Sequence, residues 1–223
     1  PGDQITVCLE TNDVDSAQLE SAPAPQFLPE LEILYEDQDI LAVNKPAGIV
    51  THPSGSHYSD SLSNQVAAYF RSKGESTKVR SIGRLDKETS GILLFAARLQ
   101  KQRESGISEK TYLAAVSGSM PEDTDGAFHR ITTPLAPDPK NRLKMVISPD
   151  GSLPGSKPAE TLYSVLKSTA PDSRISASLV MLRLKTGRTH QIRVHMASLG
   201  HPLLGDSLYH LSDTTNLFSR AAL

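Results

Sequence analysis

The stretch Val79–Ala97 constrains the fold more than any other part of this chain. It ends in an unbroken apolar run, Ile92-Leu93-Leu94-Phe95-Ala96, bounded by Gly91 and rich in branched and aromatic residues. Such a run reads as a buried strand. The polar segment before it, Gly83-Arg84-Leu85-Asp86-Lys87-Glu88-Thr89-Ser90-Gly91, is then a loop held against a sheet, with glycines at its flexible ends. Asp86 stands there between Arg84 and Lys87. Nearby cations favour its ionised form, the form that acts as nucleophile or base. On spacing alone, an ordinary surface-loop aspartate with salt-bridge partners fits better still, because many ion pairs are only structural.

Composition narrows the options. The 223 residues suffice for one large domain, or one with a small appendage. The single cysteine, Cys8, excludes an internal disulfide and a Cys-rich zinc site, and it suits a cytoplasmic protein. No apolar run reaches the ~20 residues of a membrane span, and no signal peptide is visible. Twenty-three Lys and Arg against 25 Asp and Glu give a net charge of −2, unlike a uniformly basic RNA binder. The distribution differs from the sum. Acidic residues gather in the first forty positions, and basic ones around Arg80–Lys87, Lys140–Lys144 and Arg183–Arg193. A mixed surface or a basic cleft with phosphate contacts would each account for this.

Along the chain, Gly2–Leu9 alternates as a half-buried strand does. Residues 11–32 hold Pro23, Pro25 and Pro29 with little periodicity, as a linker does. Ile33–Tyr35 and Ile40–Val43 read as strands, followed by a tight Asn44–Gly48 loop in which Lys45 meets phosphate or is solvated. Asp60–Arg71 reads as a helix capped by Asp60 or Ser61, with Leu62, Val66, Tyr69 and Phe70 inward and Gly74 ending it. Arg98–Gly106 is expected to be a short helix, and Glu109–Val116 a strand with Tyr112 near its start. The Lys140–Lys144 segment is a hairpin touching RNA or a plain insertion. Glu160–Lys167 and Ile175–Leu184 are further strands. Thr189 is expected to cap a helix to Leu199, with Ile192, Met196 and Leu199 inward, its first turn and Arg188 forming an anion site. Neither His52 with His57 nor His190 with His195 has metal-ligand spacing.

Arg84-Leu85-Asp86 with Thr89-Ser90-Gly91 and the following strand resembles the central motif of the RluA-type pseudouridine synthases. Further resemblances follow in the family's order: Asn44–Gly48, Lys110-Thr111-Tyr112, and Gly187-Arg188-Thr189-His190-Gln191-Ile192-Arg193-Val194-His195. The resemblance implies an α+β catalytic fold: a long, mixed, mostly antiparallel sheet flanked by helices, with a central cleft. It also implies conversion of uridine to pseudouridine in ribosomal or transfer RNA by a cytoplasmic monomer without cofactor or metal. The base–sugar bond breaks, the base turns, and it rejoins the sugar through ring carbon 5. By resemblance Asp86 is the catalytic carboxylate, attacking sugar or base or drawing a proton from carbon 2′. Arg188 is the arginine that pairs with it, and Tyr112 stacks on the base with its hydroxyl near the proton to be moved. Arg84 fills the stack that the flipped base vacates. Leu85, Lys45, Lys110, Thr189 and Gln191 are the remaining expected RNA contacts.

The same resemblance makes residues 1–10 the closing strand of an N-terminal RNA-binding domain and residues 33–223 the catalytic domain. Gly83 stands where the family usually has His, a trait of a sister class acting on ribosomal RNA, which bears on substrate rather than reaction. Ser219–Leu223 resembles the start of the family's last motif. The alternative is a non-catalytic RNA-binding or assembly factor on this fold. A retaining glycosidase would need a second carboxylate ~5 Å from Asp86, for which Glu88 and Glu160 are poor candidates. A zinc base deaminase would need a Cys pair.

Overall fold

The computed structural model describes residues 30–54, 57–75, 79–96, 110–141, 143–170, 173–210, 218 and 220–223. The expected strand at Gly2–Leu9, the helix at Arg98–Gly106 and most of the linker lie outside them. The chain forms two compact units, one within Pro1–Glu104 and one within Ser105–Leu223.

In the first unit, β1 (Ile33–Glu36), β2 (Ile40–Lys45), β3 (Arg80–Ser81) and β4 (Gly91–Ala96) form an antiparallel sheet in the order β1-β2-β4-β3. Asp37 closes the β1–β2 turn by accepting the amides of Asp39 and Ile40 on Oδ1. Leu31 already packs on the core, and Glu32 O accepts the Asn44 amide, so the folded unit begins before the expected linker ends. Helix α1 (Leu62–Ser72) starts at Ser61, not Asp60. Ser61 and Asn64 cap each other in a capping box. Leu62, Val66 and Phe70, one turn apart, pack with Leu41, Val43, Leu93 and Phe95. Each such full burial is worth roughly 1.5–3 kcal/mol. The β2–β4 register sets Lys45 opposite Gly91, so β2 runs one residue beyond the expected loop start and ends beside the Asp86 loop.

In the second unit, β5 (Lys110–Ser117), β6 (His129–Ile131), β9 (Thr161–Ser168) and β10 (Ala177–Leu184) form an antiparallel sheet in the order β5-β10-β9-β6. The hairpin β7 (Leu135–Pro137) and β8 (Met145–Ile147) stands apart, with Lys140 exposed in its loop. Helix α2 (Gln191–Ser198) lays Ile192 and Met196 onto Ala114, Val116, Val180 and Leu182. Leu199 is 40% exposed, because α2 ends before it. The α+β character agrees with the resemblance. Among the described residues the strands are antiparallel and make three sheets.

Candidate active site

The loop from Gly83 to Ser90 is held by the first unit's own side chains and backbone. Lys45 is 0% exposed, and its Nζ donates to Pro46 O at 2.9 Å, Lys87 O at 3.1 Å and Thr89 O at 2.7 Å. It meets neither phosphate nor solvent, because the register of β2 turns its ammonium beneath the loop. Gly48 N donates to Lys87 O at 2.8 Å, and Thr89 N to Asp86 O at 3.1 Å, closing a turn around Lys87 and Glu88. Thr51 Oγ1 donates to Leu85 O at 2.9 Å and accepts the Leu85 amide at 3.2 Å, so both backbone groups before Asp86 are fixed. The Leu85 side chain is half-buried and packs against the core.

The side chains above this base are more open. Asp86 is half-buried, and Arg84 is exposed. Behind Arg84, the His52 ring lies between Ser63 Oγ at 3.0 Å and Ser81 Oγ at 2.9 Å, and Ser81 Oγ donates to Gly83 O at 2.5 Å. Burial, with the Arg84 charge adding to it, pushes the His52 pKa below the ordinary histidine value. Thr51, Ser81 and His52 were not singled out as site residues. Thr51 and His52 follow the Asn44–Gly48 motif closely, the one signal that could have drawn attention to them.

The other expected residues belong to the second unit. Tyr112 is half-buried against its core, opposite Leu182 of β10. Lys110 pairs with Leu184 at the end of the same ladder, and burial lowers its pKa. Arg188 follows β10; its Nε donates to Pro158 O at 2.9 Å and its amide to Gln191 Oε1 at 2.9 Å. Thr189 is exposed and does not cap α2. The cap is His190, at φ 54° and without a side-chain capping bond. Gln191 is only 2% exposed and spends its amide inside the protein, which removes it from the RNA surface. A groove of about 580 Å³ in this unit is lined by Met145, Ile147, Val194 and Tyr209 and holds none of the expected site residues.

The family model for RNA pseudouridylate synthase matches residues 39–198. This chain belongs to that family. The pseudouridylate synthase match runs from β2 through α2 and so includes Lys45, the Asp86 loop, Tyr112 and Arg188. The RNA pseudouridine synthase YhcT of Bacillus subtilis, itself uncharacterised, is 39% identical over all of this chain and 68% of its own length. The ribosomal large subunit pseudouridine synthase D of Neisseria meningitidis is 37% identical over 93% of this chain and 52% of its own. This chain thus spans about two thirds and about half of these relatives. Among solved structures, the human RNA pseudouridylate synthase domain containing 1 protein superposes with a TM-score of 0.66 at 26% identity. That match covers 90% of this chain and 78% of that one.

The Arg193–Asp206 pair was not foreseen. Arg193 donates to both Asp206 oxygens at 2.8 and 2.7 Å, with side chains 7% and 0% exposed. Burial pushes the Asp206 pKa up, but Arg193 and the amides of Leu208 and Tyr209 outweigh it and hold the group below the usual carboxylate value. Glu160, one candidate for a second carboxylate, binds Arg130 through both oxygens at 2.9 and 3.0 Å.

Proposed function

We propose that this chain isomerises specific uridines of large-subunit ribosomal RNA to pseudouridine, with Asp86 as the catalytic carboxylate. The single observation that carries this is a family match whose span includes a carboxylate on a loop fixed from below. Lys45, Gly48 and Thr51 hold the backbone on both sides of Asp86 while its side chain stays half-buried. A fixed carboxylate can meet the sugar of a flipped nucleotide without reorganising at the moment of reaction. The isomerisation rearranges bonds within one nucleotide and needs no redox partner. Tyr112 and Arg188 join Asp86 by resemblance, the first against the base and the second as the cation that keeps a carboxylate ionised. Arg84 takes the vacated place in the stack, where a flat guanidinium fits well. The ribosomal substrate rests on the name of the Neisseria relative and on Gly83, and transfer RNA is the second substrate to examine.

The test is pseudouridine mapping of total RNA from cells with and without the gene. One or a few ribosomal uridines should lose the modification, and an Asp86→Asn copy should fail to restore them. Restoration by that copy would remove Asp86 from the mechanism. An unchanged map would leave an RNA-binding factor on a synthase fold.

A further inference from the structure

Gln191 occupies the first turn of α2 beneath Arg188, and each half of its amide faces a group that accepts only one orientation. Its Oε1 accepts the Arg188 amide at 2.9 Å and the Thr186 hydroxyl at 2.8 Å. Its Nε2 donates to Glu160 O at 2.9 Å and to Thr161 Oγ1 at 3.0 Å. An amide N–H can only donate and a carbonyl can only accept, so turning the side-chain amide over would break bonds at both ends. Thr186 extends the clamp, since its Oγ1 accepts the Glu160 amide at 2.9 Å.

The chain of bonds continues inward. Thr161 Oγ1 receives Gln191 Nε2 and lies 2.8 Å from His195 Nδ1, while His195 Nε2 lies 2.9 Å from Thr133 O. A carbonyl needs a donor, which puts the ring proton on Nε2 and leaves Nδ1 to accept the threonine hydroxyl. Every hydrogen in the run from Thr133 to Arg188 then has one place, and the run joins the β6–β7 connection, β9 and α2 to the residue after Gly187.

We propose that Gln191 is a positioning residue for Arg188. It sets the height and direction of that side chain by holding its backbone amide, while Pro158 O holds its Nε. The proposal rests on the role given to Arg188 in the proposed function. It replaces the reading of Gln191 as an RNA contact, which its burial does not allow.

The experiment is a double-mutant cycle on the full chain. The substrate is ribosomal RNA from cells lacking the gene, and pseudouridine formation is followed in single turnover. Gln191→Glu keeps the shape but sets a carboxylate oxygen against Glu160 O. Thr186→Val removes one hydroxyl from the same clamp and is the milder change. Each should lower the maximal rate, Gln191→Glu by roughly 10–100-fold, as a displaced catalytic group does. KM should stay within about twofold, because RNA binding is not touched. In an Arg188→Lys background the same changes should cost less than about threefold, because the group they position is already impaired. Equal losses in both backgrounds, or a raised KM with an unchanged rate, would overturn the proposal. So would full activity of a folded Gln191→Glu protein. If Arg188→Lys alone reacts at the parental rate, the role of Arg188 fails first, and positioning of Arg188 fails with it.

Discussion

A lysine enclosed by protein must find acceptors for its N–H groups there, and Lys45 finds them on three carbonyls around the Asp86 loop. Lys45→Met would keep the stem and leave those carbonyls without their donor. We expect a loss of about 2–3 kcal/mol, since each buried group left unsatisfied costs about 1–3 kcal/mol; urea unfolding measures it. Modification should fall with it, through the loop rather than through RNA affinity. His195 yields a prediction in pH. Burial lowers its pKa, so below about 6.5 the unfolded chain binds a proton that the folded one refuses. Its contribution is therefore present above that pH and lost as pH falls toward the folded pKa. Melting curves between pH 7.5 and 5 should be flatter for His195→Gln than for the parent. An equal slope would remove His195 from the acid response.

Helix α1 was legible from its residues alone: a Ser at the start, an apolar stripe at helical spacing, a Gly at the end. Ser61→Ala should cost about 1 kcal/mol by thermal melting. Helix α2 was legible only in part. A threonine beside an apolar stripe looks like a cap, yet the helix opens at His190 in the left-handed region. What holds it is remote in sequence. His190 Nδ1 lies 3.0 Å from the Tyr209 hydroxyl, which also accepts the Met145 amide at 2.8 Å. No local pattern announces a bond spanning 19 residues. Tyr209→Phe should loosen both ends of this bridge, costing about 1–2 kcal/mol and speeding hydrogen exchange at Met145 more than at Val165.

For the chain as a whole, order and spacing of the motifs carried the family and the α+β class. They could not tell which motif residues face RNA and which hold the fold. Lys45 and Gln191 belong to motifs but turn inward, and burial is decided by register and by partners far along the chain. Arg193 and Asp206 make the same point: thirteen residues apart, they form a buried pair that no local pattern signals. Asp206→Ala would leave a guanidinium buried without its carboxylate. We expect a loss of about 3–5 kcal/mol, measured by denaturant unfolding, against a small change for an exposed pair such as Arg130–Glu160.

The outer side of β5 is occupied by chain from the other end of the second unit. Ser117 N donates to Pro202 O, Leu204 N to Ala115 O, and Ala115 N to Ala222 O, while Ala222 N reaches Leu204 O. Gly205 lets Phe218 and Arg220 come close, since a Cβ there would meet the Arg220 carbonyl at 2.1 Å. Trimming the last four residues would uncover the Ala115 amide on a strand that carries the exposed Leu113, and the Leu204 carbonyl beside it. Bare strand edges recruit other strands. The shortened protein should therefore fail first as a substance that clumps, turning cloudy on concentration while its early spectra still look native.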